Sequence, residues 1–131
     1  MSSRSRPRAT RAYGKTYAIR YCDKGTIKLD GELCDGLTVH ESQQISVERG
    51  MTPDNEADTL IHEHLHQLLR PLHVVTLTDT LEEALCQHLG PALFASFREN
   101  PEFWRYVLAL ASPRPRRPRV VKDGLTGDGR G

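Results

Sequence analysis

The first part of the chain alternates apolar and polar residues with the two-residue period of β-strands. The segment Lys15–Cys22 is rich in tyrosine, isoleucine and threonine, and Gln44–Glu48 places two apolar residues between polar ones. Shorter β-prone segments cover residues 26–29 and 37–40, and turn residues separate the segments. The pattern predicts a small antiparallel sheet.

Beyond residue 50 the apolar residues follow the three- and four-residue steps of amphipathic helices. Thr52 is suited to cap a helix whose first residue is Pro53, and Pro71 ends that helix after Arg70. The apolar face of this first helix is predicted to consist of Ala57, Ile61, Leu65 and Leu68.

Two further helices are predicted after the first. The second begins near Asp79 and carries a leucine stripe, and the Gly90-Pro91 pair is expected to kink or split it. The third begins at residues 100–102 and ends before Pro113. Because strands come first and helices follow, the order predicts an α+β fold, in which a small antiparallel sheet precedes three helices.

The net charge of +1 conceals an uneven distribution along the chain. Residues 1–12 and 113–131 together carry ten basic and two acidic side chains, whereas residues 13–112 carry eight basic and fifteen acidic ones. We therefore predict an acidic folded domain over residues 13–112 between two disordered basic tails, 1–12 and 113–131. An acidic body excludes a compact basic nucleic-acid-binding fold, so a contact with nucleic acid would be weak and made by the tails.

Length and composition narrow the class of protein. A chain of 131 residues suffices for one domain, and no run of eighteen apolar residues is present to span a membrane. The N-terminus lacks the apolar stretch of a secretory signal, and three cysteines are an odd number for a disulfide framework. We expect a cytoplasmic protein with reduced thiols and no membrane partner.

The first predicted helix contains the H-E-x-x-H pattern as His62, Glu63 and His66. Residues four apart lie one above the other on a helix face, so two imidazoles there can direct nitrogen atoms to one Zn²⁺. Glu63 lies off that line and is suited to take a proton from a metal-activated water as a general base. The spacing predicts His62 and His66 as metal ligands and Glu63 as the catalytic residue.

A catalytic zinc needs a third protein ligand and an open position. The second helix offers Glu82 and Glu83 in its first turn, and adjacent side chains on a helix diverge by about 100°. Glu82 shares its face with the apolar residues of that helix, so it is the predicted third ligand and Glu83 is the alternative.

The remaining histidines have less specific predictions. His73 closely follows the end of the first helix and, like His88, stays open as an alternative third ligand. His64 is expected to face away from the ligand pair. His40 is expected to be a surface residue in or beside a strand.

The sequence T-L-I-H-E-H-L-H-Q-L-L of residues 59–69, followed by a short loop and E-E-x-L, resembles the minimal zincin metallopeptidases. Over residues 15–105 the chain is similar to small gluzincin-like peptidases encoded by phages and prophages, which implies action in a bacterial host cell. The resemblance implies zinc bound by His62, His66 and Glu82, with Glu63 as the general base. It also implies that Gln44–Glu48 is an edge strand that pairs with an extended peptide substrate. SprT-like proteases share the motif but use a third histidine.

Two functions from different classes follow from these observations. The first is a zinc-dependent metallopeptidase that hydrolyses a protein or peptide substrate. The alternative is a catalytically silent zincin-like zinc-binding module that acts through interactions, with basic tails that contact nucleic acid or an acidic partner. The role of Glu63 distinguishes the two, because only the peptidase needs its carboxylate.

Overall fold

The structure is a computed structural model that describes residues 5–74 and 77–111. The predicted C-terminal tail, residues 113–131, lies outside the described residues. The chain divides into two units, residues 1–100 and residues 101–131. Every strand within the described residues belongs to the first unit, as does the H-E-x-x-H helix.

Six strands precede the helices: β1 (Ala9–Ala12), β2 (Lys15–Cys22), β3 (Lys28–Leu29), β4 (Glu32–Leu33), β5 (Gly36–Val39) and β6 (Gln44–Glu48). Four of them form one sheet in the order β1-β2-β6-β5, and β3 and β4 form a separate hairpin. The elements confirm the predicted α+β class. Strands β2 and β6 have the bounds that the alternation predicts.

The sheet is mixed, so the prediction of an antiparallel sheet is wrong for its central pair. Strand β2 runs parallel to β6, with Ile19 opposite Ile45, whereas β1–β2 and β5–β6 are antiparallel. Parallel pairing needs a crossover of about a dozen residues or more, and residues 23–43 supply it. Alternation specifies which face of a strand is buried, but it does not specify the strand's partner or direction.

The N-terminal segment also departs from the prediction. Residues 1–12 were expected to be disordered, but β1 within them pairs with β2 along its whole length. The Tyr21 hydroxyl donates to the Pro7 carbonyl at 2.8 Å, which continues the contact before the strand begins. The arginines that suggest a solvated tail are compatible with an edge strand, because charged residues are common on exposed sheet edges.

The strand expected at the edge lies inside the sheet. Strand β6 is paired on both sides, by β2 and by β5, so it has no free edge for a peptide. The edges are β1 and β5. The sequence marks β6 as half-buried, but strand order depends on contacts between distant residues.

One face of the sheet forms the core. Tyr17, Ile19, Ile45 and Val47 alternate with exposed or half-buried neighbours and are at most 8% exposed. Leu60 from the first helix packs against this cluster. The period-2 pattern therefore places the buried face of β2 and β6 against that helix.

Helix α1 (Pro53–Leu69) starts and ends as predicted. The Thr52 hydroxyl accepts a hydrogen bond from the Asn55 amide at 3.3 Å, and Pro53 occupies the first turn. Of the predicted apolar face only Leu65 is buried, and the other three residues are half-buried. The other buried positions are polar and lie four residues apart: Thr59, Glu63 and Gln67.

A 3₁₀ turn (Arg70–Val74) leads to helix α2 (Asp79–Glu99), which begins where predicted. The expected split at Gly90-Pro91 does not occur, because α2 continues through Pro91. Gly90 has no Cβ, which removes part of the clash that normally excludes the residue before a proline from a helix.

Helix α3 (Pro101–Ala111) belongs to the second unit and matches the predicted bounds, with no buried residue. Among the described residues, no helix combines the length and the apolar composition that a membrane span needs.

The core of the sheet provides a test of the fold. Ile45 is 1% exposed, and Ile45→Ala is expected to lower the free energy of unfolding by about 2–5 kcal/mol because it leaves a cavity. Val39→Ala, at a 37% exposed position of edge strand β5, should cost much less. Urea unfolding of the two variants measures both changes. Equal losses would contradict the described core.

Candidate metal centre

A cleft of about 660 Å³ lies between α1, the start of α2 and the β3–β5 part of the chain. Helix α1 contributes His62, Glu63 and His66 to it, and α2 contributes Glu82 and Glu83. The H-E-x-x-H motif and the two candidate carboxylates from the second helix therefore meet in one cavity.

His62, His66 and Glu83 form a group that could hold a metal ion. Nε2 of His66 lies 2.9 Å from one Glu83 carboxylate oxygen, and Nε2 of His62 lies 3.4 Å from the other. The three ligand atoms lie within 4.8 Å of one another. Bonds of about 2.0–2.2 Å in a tetrahedral site put ligand atoms roughly 3.4 Å apart, so this spacing fits a metal ion after small adjustments.

The first choice of third ligand, Glu82, lines the same cleft but is not part of this group. Its carboxylate faces Nδ1 of His66, the nitrogen turned away from Glu83, and forms a hydrogen bond there. The structure thus brings the alternative, Glu83, into the group and sets Glu82 behind His66. Glu82 is 4% exposed, as its apolar face predicts.

Glu82 is surrounded by imidazoles. Besides His66, Nε2 of His73 donates to it at 2.6 Å, and Nε2 of His40 lies 3.7 Å away. Burial favours the neutral carboxyl, but the hydrogen bonds from His66 and His73 outweigh burial and hold the pKa of Glu82 below its usual value. A carboxylate that accepts the Nδ1 proton of His66 leaves the Nε2 lone pair for a metal.

Glu63 is buried where α1 packs against β5. The Thr38 hydroxyl donates to its carboxylate at 2.7 Å, and the side chain is 5% exposed. Burial raises the pKa of Glu63 above its usual value, although the hydrogen bond from Thr38 acts in the opposite direction. A raised pKa brings a carboxylate closer to the range in which a general base is effective near neutral pH.

Gly36 allows β5 to approach Glu63. A Cβ atom at Gly36 would lie 2.7 Å from Cγ2 of Thr59 and 2.9 Å from Oε2 of Glu63. Both distances are shorter than real Cβ contacts, so any larger residue must displace the strand, the helix or these two side chains.

Sequence reasoning missed three residues of this site: Gly36, Thr38 and His40. They alternate along β5 and its end, so they share one face, and that face lies beside buried Val47 and Ile45 of β6. A strand with a small residue, a hydroxyl and an imidazole on one face was a signal that could have identified them.

The prediction that His40 is a surface residue is wrong. Its side chain is 16% exposed, and Nδ1 lies 2.9 Å from the Tyr17 hydroxyl, with which it shares a hydrogen bond. Burial, and after it the positive charge of Arg70, lowers the pKa of His40. A neutral His40 can therefore contact both Tyr17 and Glu82.

The other histidines lie outside the ligand group. His73 is engaged with Glu82, so it supports the site from behind. His64 lies on another side of α1, where Nδ1 is 3.2 Å from the Thr10 hydroxyl oxygen and 3.1 Å from the Gln67 amide oxygen, as its position in the motif predicts. His88 is exposed on α2.

The charge of the cleft also fits a cation. Six carboxylates line it, whereas Arg70 is the only lysine or arginine among its lining residues in the described part of the chain. Burial, and after it the negative charges of Glu82, Glu83 and Glu63, raises the pKa of the nearby Cys86 thiol to about 12. Two imidazoles and a carboxylate are donors that suit zinc and several other divalent transition metals.

The different positions of Glu83 and Glu82 predict different losses of metal affinity. Removing a ligand by Glu83→Ala should weaken binding more than Glu82→Gln, which weakens the hydrogen bonds of Glu82 to His66 and His73 and should cost about 10–100-fold. A competition titration with a metal-sensitive chelator measures both, and Glu99→Gln at the exposed end of α2 is the matched control. A larger loss of metal affinity in Glu82→Gln than in Glu83→Ala would instead indicate that Glu82 is the ligand.

Comparison of the chain with protein-family models, with curated proteins and with solved structures finds no match in any of the three. The resemblance to the zincin metallopeptidases therefore stays a prediction that depends on the motif and on the geometry of the cleft.

Proposed function

We propose that this protein is a zinc-dependent metallopeptidase that hydrolyses peptide bonds. The observation that carries the proposal is the position of Glu63, a buried carboxylate in the same cleft as the His62–His66–Glu83 group. A purely structural metal site normally closes its coordination sphere with four protein ligands and needs no additional carboxylate as a base.

Each residue of the site has a separate role in the proposed reaction. His62, His66 and Glu83 would hold the zinc ion, which when bound polarises a carbonyl and makes a water molecule more acidic. Glu63 accepts the proton of that water and delivers it to the leaving amine. Glu82 keeps His66 in the protonation state and orientation that its role as a ligand needs.

A peptide fits the cleft because a strand edge borders it. Strand β5 pairs only with β6 among the described strands, so its other edge leaves backbone N–H and C=O groups free for an added strand. Gly36, Leu37 and Thr38 of β5 line the same cleft as Glu63. We therefore assign to the free edge of β5 the pairing with an extended peptide that the resemblance implies for Gln44–Glu48.

The decisive experiment is Glu63→Gln. The substitution preserves shape but removes the base, so zinc content should stay at one ion per chain while peptide cleavage falls by at least about 100-fold. Elemental analysis by mass spectrometry of protein purified without a histidine tag measures zinc, and a peptide mixture analysed by mass spectrometry measures cleavage. His62→Ala, which removes a ligand, should lose both.

Glu99→Gln on the exposed end of α2 is the control and should keep zinc and cleavage. Undiminished cleavage by Glu63→Gln would refute the role of Glu63. Zinc without cleavage in the wild-type protein would favour the alternative, a zinc-binding module that acts through interactions.

The close approach of β5 to α1 gives a second test. Gly36→Ala must displace the strand or the Glu63 carboxylate, because the new Cβ would lie within 3.0 Å of Glu63 atoms. We expect kcat to fall by about tenfold or more while zinc content is retained, since none of the three ligands is touched. Val39→Ala, on the same strand, is the control for a changed β5 side chain, because Val39 is not among the residues that line the cleft in the described part of the chain. Normal turnover in Gly36→Ala would show that the position of Glu63 tolerates displacement.

A further inference from the structure

The β3–β4 hairpin stands beside the proposed active site. It has a two-residue turn at Asp30 and Gly31, both with positive φ (51° and 82°), which is the geometry of a tight type I′ hairpin. All six residues from 28 to 33 are exposed, and the hairpin forms no ladder with the main sheet. It therefore projects from the first unit.

The base of the hairpin is anchored. Ile27 is 5% exposed, and its carbonyl accepts a hydrogen bond from the Cys34 amide at 2.9 Å. Before it, the Thr26 hydroxyl donates to the Asp23 carbonyl at 2.6 Å. A two-stranded hairpin is marginally stable alone, so this anchoring gives its side chains a defined position.

The two leucines of the hairpin lie on opposite faces. Leu29 is paired with Glu32 and Leu33 with Lys28, and neighbouring residues of a strand point to opposite sides. Leu29 lines the cleft that contains His62 and Glu63, and it is 53% exposed. Leu33 is 66% exposed and is not among the residues that line that cleft in the described part of the chain.

We propose that Leu29 is a specificity-determining residue, which contacts an apolar side chain of an extended peptide bound along β5. The inference rests on the proposed peptidase function and names the class of its substrate. Leu37 of β5 lines the same cleft, so the hairpin and the edge strand each present a leucine to it.

An apolar substrate side chain gains from this contact because both surfaces leave water. A charged side chain in the same place loses hydration without a partner on Leu29. The cleft is otherwise rich in carboxylates. The exposed apolar surface of Leu29 would therefore make cleavage depend on one substrate side chain near the scissile bond.

The test uses zinc-loaded protein and a peptide mixture in which every position near the cleaved bond varies. The wild-type protein should prefer leucine, methionine or phenylalanine over asparagine or aspartate at one position, by about tenfold or more in kcat/KM. Leu29→Lys should lower kcat/KM for those apolar peptides by a similar factor and raise it for peptides with aspartate there. Leu33→Lys, the matched control on the other face, should keep the wild-type preference.

The possible outcomes separate this inference from the proposed function. Cleavage with the same preference in wild type, Leu29→Lys and Leu33→Lys would overturn the role of Leu29 and leave the peptidase intact. Absence of cleavage by the zinc-loaded wild type would overturn both. If Leu29→Lys melts at a much lower temperature than Leu33→Lys, Leu29→Ala is used in its place. Leu29→Ala must then reduce the preference for apolar peptides, and an unchanged preference would overturn the inference.

Discussion

The burial of the Glu63 carboxylate is the constraint on which the arrangement of helix and sheet depends. A carboxylate removed from water is costly unless hydrogen-bond donors surround it, and Thr38 is such a donor. Thr38 reaches Glu63 only because Gly36, two residues earlier on the same face, adds no side chain between β5 and α1. The pairing of β5 with β6 then sets where that edge of the sheet lies on the helix.

The first turn of α2 shows how one residue step separates two roles. Glu82 is turned inward, where it accepts hydrogen bonds from His66 and His73, while the side chain of Glu83 is 46% exposed and faces the Nε2 atoms of His62 and His66. Inward orientation is what an apolar pattern detects, so the pattern identified Glu82, the residue hydrogen-bonded to His66. Both carboxylates line the cleft, and that of Glu83 is the one that lies beside Nε2 of His62 and of His66.

Local features of the fold could be predicted from the sequence and long-range ones could not. The Thr52 cap, the limits of α1 and the bounds of β2 and β6 depend on neighbouring residues, and these predictions are confirmed. The pairing of β1 with β2 and the parallel pairing of β2 with β6 depend on distant residues, so alternation could not reveal them. The same distinction holds for the site. The spacing within α1 aligns His62 with His66, which the sequence shows directly. Thr38 and His40 come from β5 and its end, and only the fold brings them to α1.

The contact between α1 and α2 includes the site itself. Gly90 packs beside His62, and the Cys86 side chain of α2 is fully buried. Gly90 has no side chain and that of Cys86 is small, so these two positions bury little apolar surface. His66–Glu82 and the ligand group bridge the same two helices, and a cation there would offset the repulsion among Glu63, Glu82 and Glu83. Metal binding and the pairing of α1 with α2 should therefore reinforce each other, since the free energy of binding contributes directly to holding the helices together.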